Sequence, residues 1–172
     1  MVTLLIPVLN EAQAMRKILP QIPKGSCDQI LVVDGGSTDD SADYARSLGF
    51  DVYTQKERGL RAAYAEGIAQ ATGDIVVTFS PDGNSMAEKI PVLIAKMREG
   101  YDMVIVSRYK DNAKSQDDDM LTAFGNWMYT AAINFLFRAQ YTDSLVMFRA
   151  YRRDILQELK MTETIRILEW GE

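Results

Sequence analysis

The chain has 172 residues, 47% of them hydrophobic, with 24 acidic and 19 basic side chains and a formal net charge of −5. That length suits one domain with a sizeable core, and the acidic balance argues against a general nucleic-acid binder, which would need a basic stripe. With no histidine and one cysteine, Cys27, the chain excludes Ser-His-Asp catalysis, histidine-ligated zinc and an internal disulfide.

Val2 to Pro7 is an aliphatic run that predicts a first strand. Pro7 and Asn10-Glu11 end it too soon for a signal peptide. The spacing then predicts a helix over Asn10 to Leu19, with Asn10 as its cap and Pro20 beyond its end. Gln29 to Asp34 reads as a second strand, broken by Gly35-Gly36. Ser37 or Thr38 is expected to cap a helix through Leu48, which Gly49 stops. Asp51 to Gln55 is a third strand and Leu60 to Ala71 an alanine-rich helix. Asp74 to Phe79 is a fourth strand, Ala87 to Glu99 a helix, and Met103 to Ser107 a fifth strand.

The polar stretch 111–119 reads as solvated loop. Met120 to Arg138 predicts a long helix, apolar nearly all round, either a core helix or one that also touches lipid or a partner. Asp143 to Arg149 and Ile155 to Leu159 are expected to form a last strand and helix. No run of about 18 uninterrupted apolar residues marks a membrane span. A reducing cytoplasmic setting is expected.

Strands alternating with helices predict an α/β fold with a mostly parallel sheet. In such sheets ligands sit beyond the carboxyl ends of the strands. Asn10-Glu11, Asp34 and Asp82-Asn84 all fall at those ends. Each alone is an ordinary turn residue type; three at one edge point to a site.

The motifs together resemble a family 2 glycosyltransferase of the GT-A fold, with a Rossmann-like central sheet and helices on both faces. They are "IPVLNEA", "ILVVDGGSTDDS", "ERGLRAAYAEGIAQATGD" and "TFSPDGNS". "VIVSRY" and "DSLVMFRAYRRDIL" resemble segments of the dolichyl- or polyprenyl-phosphate sugar transferases. Members of that subgroup continue with further elements, so residues 1–172 are expected to be a single domain short of its C-terminal part.

The resemblance implies inverting transfer of a sugar from a nucleotide-diphosphate sugar, with Mg²⁺ or Mn²⁺ on the diphosphate. It places Pro7, Asn10, Glu11, Asp34, Arg58 and Ser80 around the nucleotide. Asp82 and Asn84 fall at the metal, Ser80 standing where the family has its first aspartate. Asp143 would be the base for an alcohol acceptor. A lipid monophosphate, already anionic, would need none; Arg108, Arg149 or Arg152 would then hold its phosphate. That acceptor would place the chain at the inner face of a membrane, without nucleic acid, alone or as an oligomer. Two other readings stay open. One is a non-catalytic nucleotide-sugar-binding protein. The other is a nucleotidyltransferase, which would want a glycine-rich phosphate loop that "IPVLNEA" lacks.

Overall fold

The computed structural model describes residues 1–83, 85–107 and 120–158. Asn84, Arg108 and the polar loop expected over 111–119 lie outside them. Six strands form one sheet: β1 (Val2–Val8), β2 (Gln29–Asp34), β3 (Asp51–Thr54), β4 (Ile75–Thr78), β5 (Met103–Ile105) and β6 (Arg149–Arg152). The helices are α1 (Ala12–Ile18), α2 (Ser41–Ser47), α3 (Leu60–Gln70), α4 (Ile90–Arg98), α5 (Met120–Phe137) and α6 (Arg153–Glu158).

The strand order is β3-β2-β1-β4-β6-β5. The first four strands in that order are parallel, and β6 runs antiparallel to both of its neighbours. The expected mostly parallel sheet is therefore present, with β6 inserted against the grain between β4 and β5.

Every residue of β1 is buried, which its continuous apolar sequence requires of a strand covered on both faces. Side chains alternate between the two layers. Leu4, Ile6, Val32 and Val77 join Met15, Ile18, Ile90 and Leu93 under α1 and α4. Leu5, Leu31, Val33 and Val76 face the other way, toward Ala63 and Ala71 of the α3 segment. Gly67 lets α3 lie close to the sheet, because a Cβ there would stand 2.3 Å from Leu5 Cδ1 and 2.8 Å from Val33 Cγ2.

Several boundaries differ from the sequence reading, each for a local reason. Asn10 is no helix cap; its φ is +56° and α1 starts two residues later. The N–H of Glu11 donates instead to Ser41 Oγ and that of Ala12 to Asp39 Oδ2. Nor does Ser37 or Thr38 open α2: Asp39 Oδ1 accepts the N–H of Ser41 at 3.0 Å. One carboxylate thus serves the first turns of two helices, groups that would otherwise lack partners. Residues 143–148 are not strand. Asp143 Oδ1 accepts the N–H of both Leu145 and Val146, a local turn that competes with ladder pairing.

The largest departure is α5. The core-helix reading does not describe it: the helix is turned inside out. Asn126 and Thr130 are buried, while Phe124, Trp127, Met128, Phe135, Leu136 and Phe137 are exposed, Phe135 to 86%. No described helix is long and apolar enough to cross a membrane.

Candidate active site

Register places the site. Val8 lies level with Asp34, and Asp34 with Thr54, so the loops after β1, β2 and β3 leave the sheet at one edge. The chain passes from β1 to β2 on one side and reaches β4 on the other. A crevice opens where such connections diverge.

A cavity of about 370 Å³ occupies that edge. Pro7 lines it from the end of β1, Glu11 from the first loop, Gly35 and Gly36 from the second, and Gln55 and Arg58 from the third. A Cβ at Gly35 would lie 3.3 Å from the Val8 carbonyl oxygen, so glycine permits the first two loops to pack closely.

Asn10 ties those loops together. Its Oδ1 accepts the N–H of Thr38 at 2.8 Å, and its own N–H donates to Ser37 Oγ at 2.9 Å. Asp34 is buried, with its carboxylate accepting the N–H groups of Gly36 and Ser37. Neither residue lines the cavity itself; they fix the two loops that do.

Glu11 is half-buried. Its Oε2 is buried and has no hydrogen-bond partner among the described residues. Burial pushes its carboxyl above the ordinary value, and the negative charges of Asp82 and Asp39 push the same way. Asp82 follows the buried Phe79 in a tight Pro81-Asp82-Gly83 turn, with Gly83 at φ +92°. Ser80 beside it is half-buried.

Tyr64 of α3, not singled out from sequence, belongs to the same neighbourhood. Burial, with Tyr151 and Asp82 adding and Arg149 opposing, pushes its hydroxyl up to about 12. The signal available in sequence was only a tyrosine on the strand-facing side of an alanine-rich helix.

The opposite flank carries the residues expected for an acceptor. Asp143 is 1% exposed, accepts a hydrogen bond from Asn126 Nδ2 at 3.1 Å, and lines a separate cleft of about 880 Å³ along β5. It does not line the 370 Å³ cavity. Arg149 is level with Thr78, at the carboxyl edge. Its guanidinium donates to the carbonyl oxygens of Val146 at 2.5 Å and Ser144 at 2.6 Å. Arg152 is excluded from the site. It pairs with Ile75 at the far end of β4 and forms ion pairs with Asp102 and Asp154.

Among the described residues, no group of three or more acidic or cysteine side chains could cage a metal. Asp82 and Glu11 fit a different arrangement. Glu11 lines the cavity and holds an oxygen without a partner among the described residues, and the charge of Asp82 acts on it. Magnesium and manganese need only one or two carboxylates when phosphate oxygens and water fill the remaining positions.

The comparisons agree with this architecture. The family model described as "Glycosyl transferase family 2" matches residues 3–160. An undecaprenyl-phosphate 4-deoxy-4-formamido-L-arabinose transferase of Proteus mirabilis (strain HI4320) is 30% identical over 171 residues, covering 92% of this chain and 51% of its own. An uncharacterised glycosyltransferase of Mycobacterium bovis is 37% identical over 103 residues, covering 60% of this chain and 46% of its own. The chain thus spans about half the length of the curated relatives it matches. Among solved structures, glucosyl-3-phosphoglycerate synthase from Mycobacterium tuberculosis, in complex with Mn²⁺, uridine diphosphate and glucosyl-3-phosphoglycerate, superposes with a TM-score of 0.73 at 22% identity. That match covers 91% of this chain and 58% of the synthase. The parallel sheet, the cavity at its carboxyl edge and the family match lead to one conclusion: the chain belongs to the family 2 glycosyltransferases and has their GT-A fold.

Proposed function

We propose that this protein transfers a sugar from a nucleotide-diphosphate sugar to a polyprenyl phosphate at a membrane surface, using Mg²⁺ or Mn²⁺. The observation that carries the donor half is the 370 Å³ cavity walled by Pro7, Gly35, Gly36 and Arg58, lined also by Glu11, whose Oε2 has no partner among the described residues. The base and ribose occupy that cavity; the Asp34 carboxylate, which orients Gly36 and Ser37, is the acceptor assigned to an imide or amide N–H of the base. Arg58 faces the diphosphate. Asp82 and Glu11 would hold the cation, which would supply positive charge to the departing diphosphate.

In the transfer, the bond from the anomeric carbon to the diphosphate oxygen breaks, and its electron pair leaves with the nucleoside diphosphate. An acceptor oxygen forms the new bond from the opposite face, inverting the carbon. A phosphate acceptor is already anionic and needs no base. Asp143 then orders the acceptor loop. Its burial and its hydrogen bonds to Asn126, Leu145 and Val146 suit that role better than proton transfer.

Two observations support the lipid-linked acceptor. The Proteus mirabilis relative is named for an undecaprenyl-phosphate acceptor. The 18-residue helix α5 contains no charged residue and exposes Trp127, Phe135, Leu136 and Phe137, an apolar surface of the kind that marks a membrane or partner contact.

The test is transfer from a panel of UDP-, GDP-, CDP- and dTDP-sugars to polyprenyl phosphate in vesicles, with and without Mn²⁺. Sugar-lipid formed only with metal supports the reading. Nucleotide binding with no transfer to any acceptor would leave a donor-binding protein, the reading that Ser80 in place of an aspartate favours.

A further inference from the structure

The third wall of the cavity is irregular backbone. Gln55, Arg58 and Gly59 line it, and residues 56–60 are all exposed, so packing does little to fix the loop. Two side chains hold it instead. Glu66, two turns into α3, accepts the N–H of Lys56 at 2.9 Å and of Glu57 at 2.9 Å through its two carboxylate oxygens. Its Oε2 also accepts the Tyr53 hydroxyl at 2.9 Å. From within the loop, Gln55 Nε2 donates to the carbonyl oxygens of Glu57 at 2.7 Å and Gly59 at 3.4 Å. The Gln55 N–H in turn donates to the Asp34 carbonyl oxygen at 2.9 Å.

Two consecutive N–H groups aimed at one carboxylate fix the orientation of both peptides just before Arg58. Gly59 follows at φ +105°, which turns the chain into α3. The loop is therefore referenced to α3, a helix packed on the sheet through Gly67. Glu66 thus joins the loop N–H groups to Tyr53, whose ring packs against the second apolar cluster.

We infer that Glu66 is a positioning residue for donor binding: it latches the 55–59 loop to α3 and so sets the wall of the cavity from which Arg58 reaches the nucleotide. The inference rests on the reading of this cavity as the nucleotide site. It assigns Glu66 no contact with substrate. Truncating it frees two backbone N–H groups and the loop they orient, which weakens nucleotide binding and leaves the chemical step intact.

The experiment measures the affinity of the full chain for UDP, GDP, CDP and dTDP with Mn²⁺, in wild type, E66A, E66Q, R58A and the double variant E66A/R58A. For the nucleotide that wild type binds, E66A is expected to weaken binding about tenfold and E66Q, which keeps one acceptor oxygen, only about threefold. Because both residues act through one wall, E66A should cost less than about threefold in the R58A background. With a sugar donor, the KM of E66A rises while kcat holds. Trypsin should also cut E66A faster after Lys56 and Arg58. E66A binding within about twofold of wild type, or losses that add fully with R58A, would overturn the inference while leaving the nucleotide site standing. A wild type that binds none of the four nucleotides overturns both. Should E66A fail to fold, E66Q carries the same comparison.

Discussion

Thr78 Oγ1 donates to the Met147 carbonyl oxygen at 2.6 Å, tying the end of β4 to the loop that begins at Asp143. One residue further on, Phe79 meets Phe148 edge to face with ring centroids 5.5 Å apart. The turn that bears Asp82 and the loop that bears Asp143 are therefore parts of one joint. The strand inserted against the grain, β6, is what makes that joint: it carries the acceptor-side loop back to the end of β4.

Replacing Thr78 by valine keeps the shape and removes this hydrogen bond. The Met147 carbonyl, in an exposed residue, loses this donor, at a cost of about 0.5–1.5 kcal/mol. Urea unfolding of T78V should show that loss. Nucleotide affinity should stay near wild type, because Thr78 does not line the cavity.

Asp143 separates two acceptor chemistries. D143N can keep an oxygen toward the Leu145, Val146 and Asn126 N–H groups, so the loop survives. For a phosphate acceptor, D143N should retain transfer within about tenfold, whereas D143A, which empties a buried acceptor site, should lose far more. A fall of about 10²–10⁴ in D143N with unchanged nucleotide affinity would instead identify Asp143 as a general base.

Glu11 predicts a trade between stability and binding. Burial and the charges of Asp82 and Asp39 raise its pKa above 4.5, so its ionised form is disfavoured in the fold. The unfolded chain then ionises first as pH rises, and wild type loses stability from about 4.5 up to the folded-state pKa. E11Q should have a higher Tm than wild type at pH 7, and the gap should close below the ordinary value of 4.5. The same variant should bind Mn²⁺ with nucleotide more weakly. A Tm at pH 7 equal to or below that of wild type would remove the electrostatic account of this carboxylate.

Two glycines should differ in what alanine costs. At Gly67 the obstruction is the Leu5 and Val33 side chains, and helix propensity returns about 1 kcal/mol, so G67A should cost about 1–2 kcal/mol net. At Gly73 a Cβ would meet backbone, Thr3 N at 2.5 Å and the Val2 carbonyl carbon at 2.8 Å, which no rotamer change relieves. G73A should cost about 3 kcal/mol or more. Chemical denaturation of both variants checks the order.

Much of this fold was legible because its strongest signals are local. Continuous Val/Ile/Leu runs marked β1, β2 and β4, and Gly49 stopped α2 at φ +77° as expected. What the chain order could not convey was pairing between distant segments. Asn10 reads as a helix cap, yet it is a bridge to Thr38 across 28 residues. Asp143 to Arg149 reads as strand until its first carboxylate turns back on its own backbone. The apolar repeat of α5 reads either as core or as a helix that also touches lipid or a partner, since periodicity reports hydrophobicity and not what covers it; its polar Asn126 and Thr130 are the residues buried. In the site, Glu11, Arg58 and Asp82 were visible as loop residues after strands. Tyr64 and Glu66 were not, because they act from mid-helix on loops that only the fold brings near.

The most direct test of the central claim is nucleotide binding by calorimetry, with UDP, GDP, CDP and dTDP, each with and without Mn²⁺, for wild type and D82A. Wild type should bind one base best, Mn²⁺ should tighten that binding, and D82A should abolish the tightening while keeping metal-free affinity. Equal Mn²⁺ enhancement in D82A, or no binding of any nucleotide by wild type, would contradict that claim.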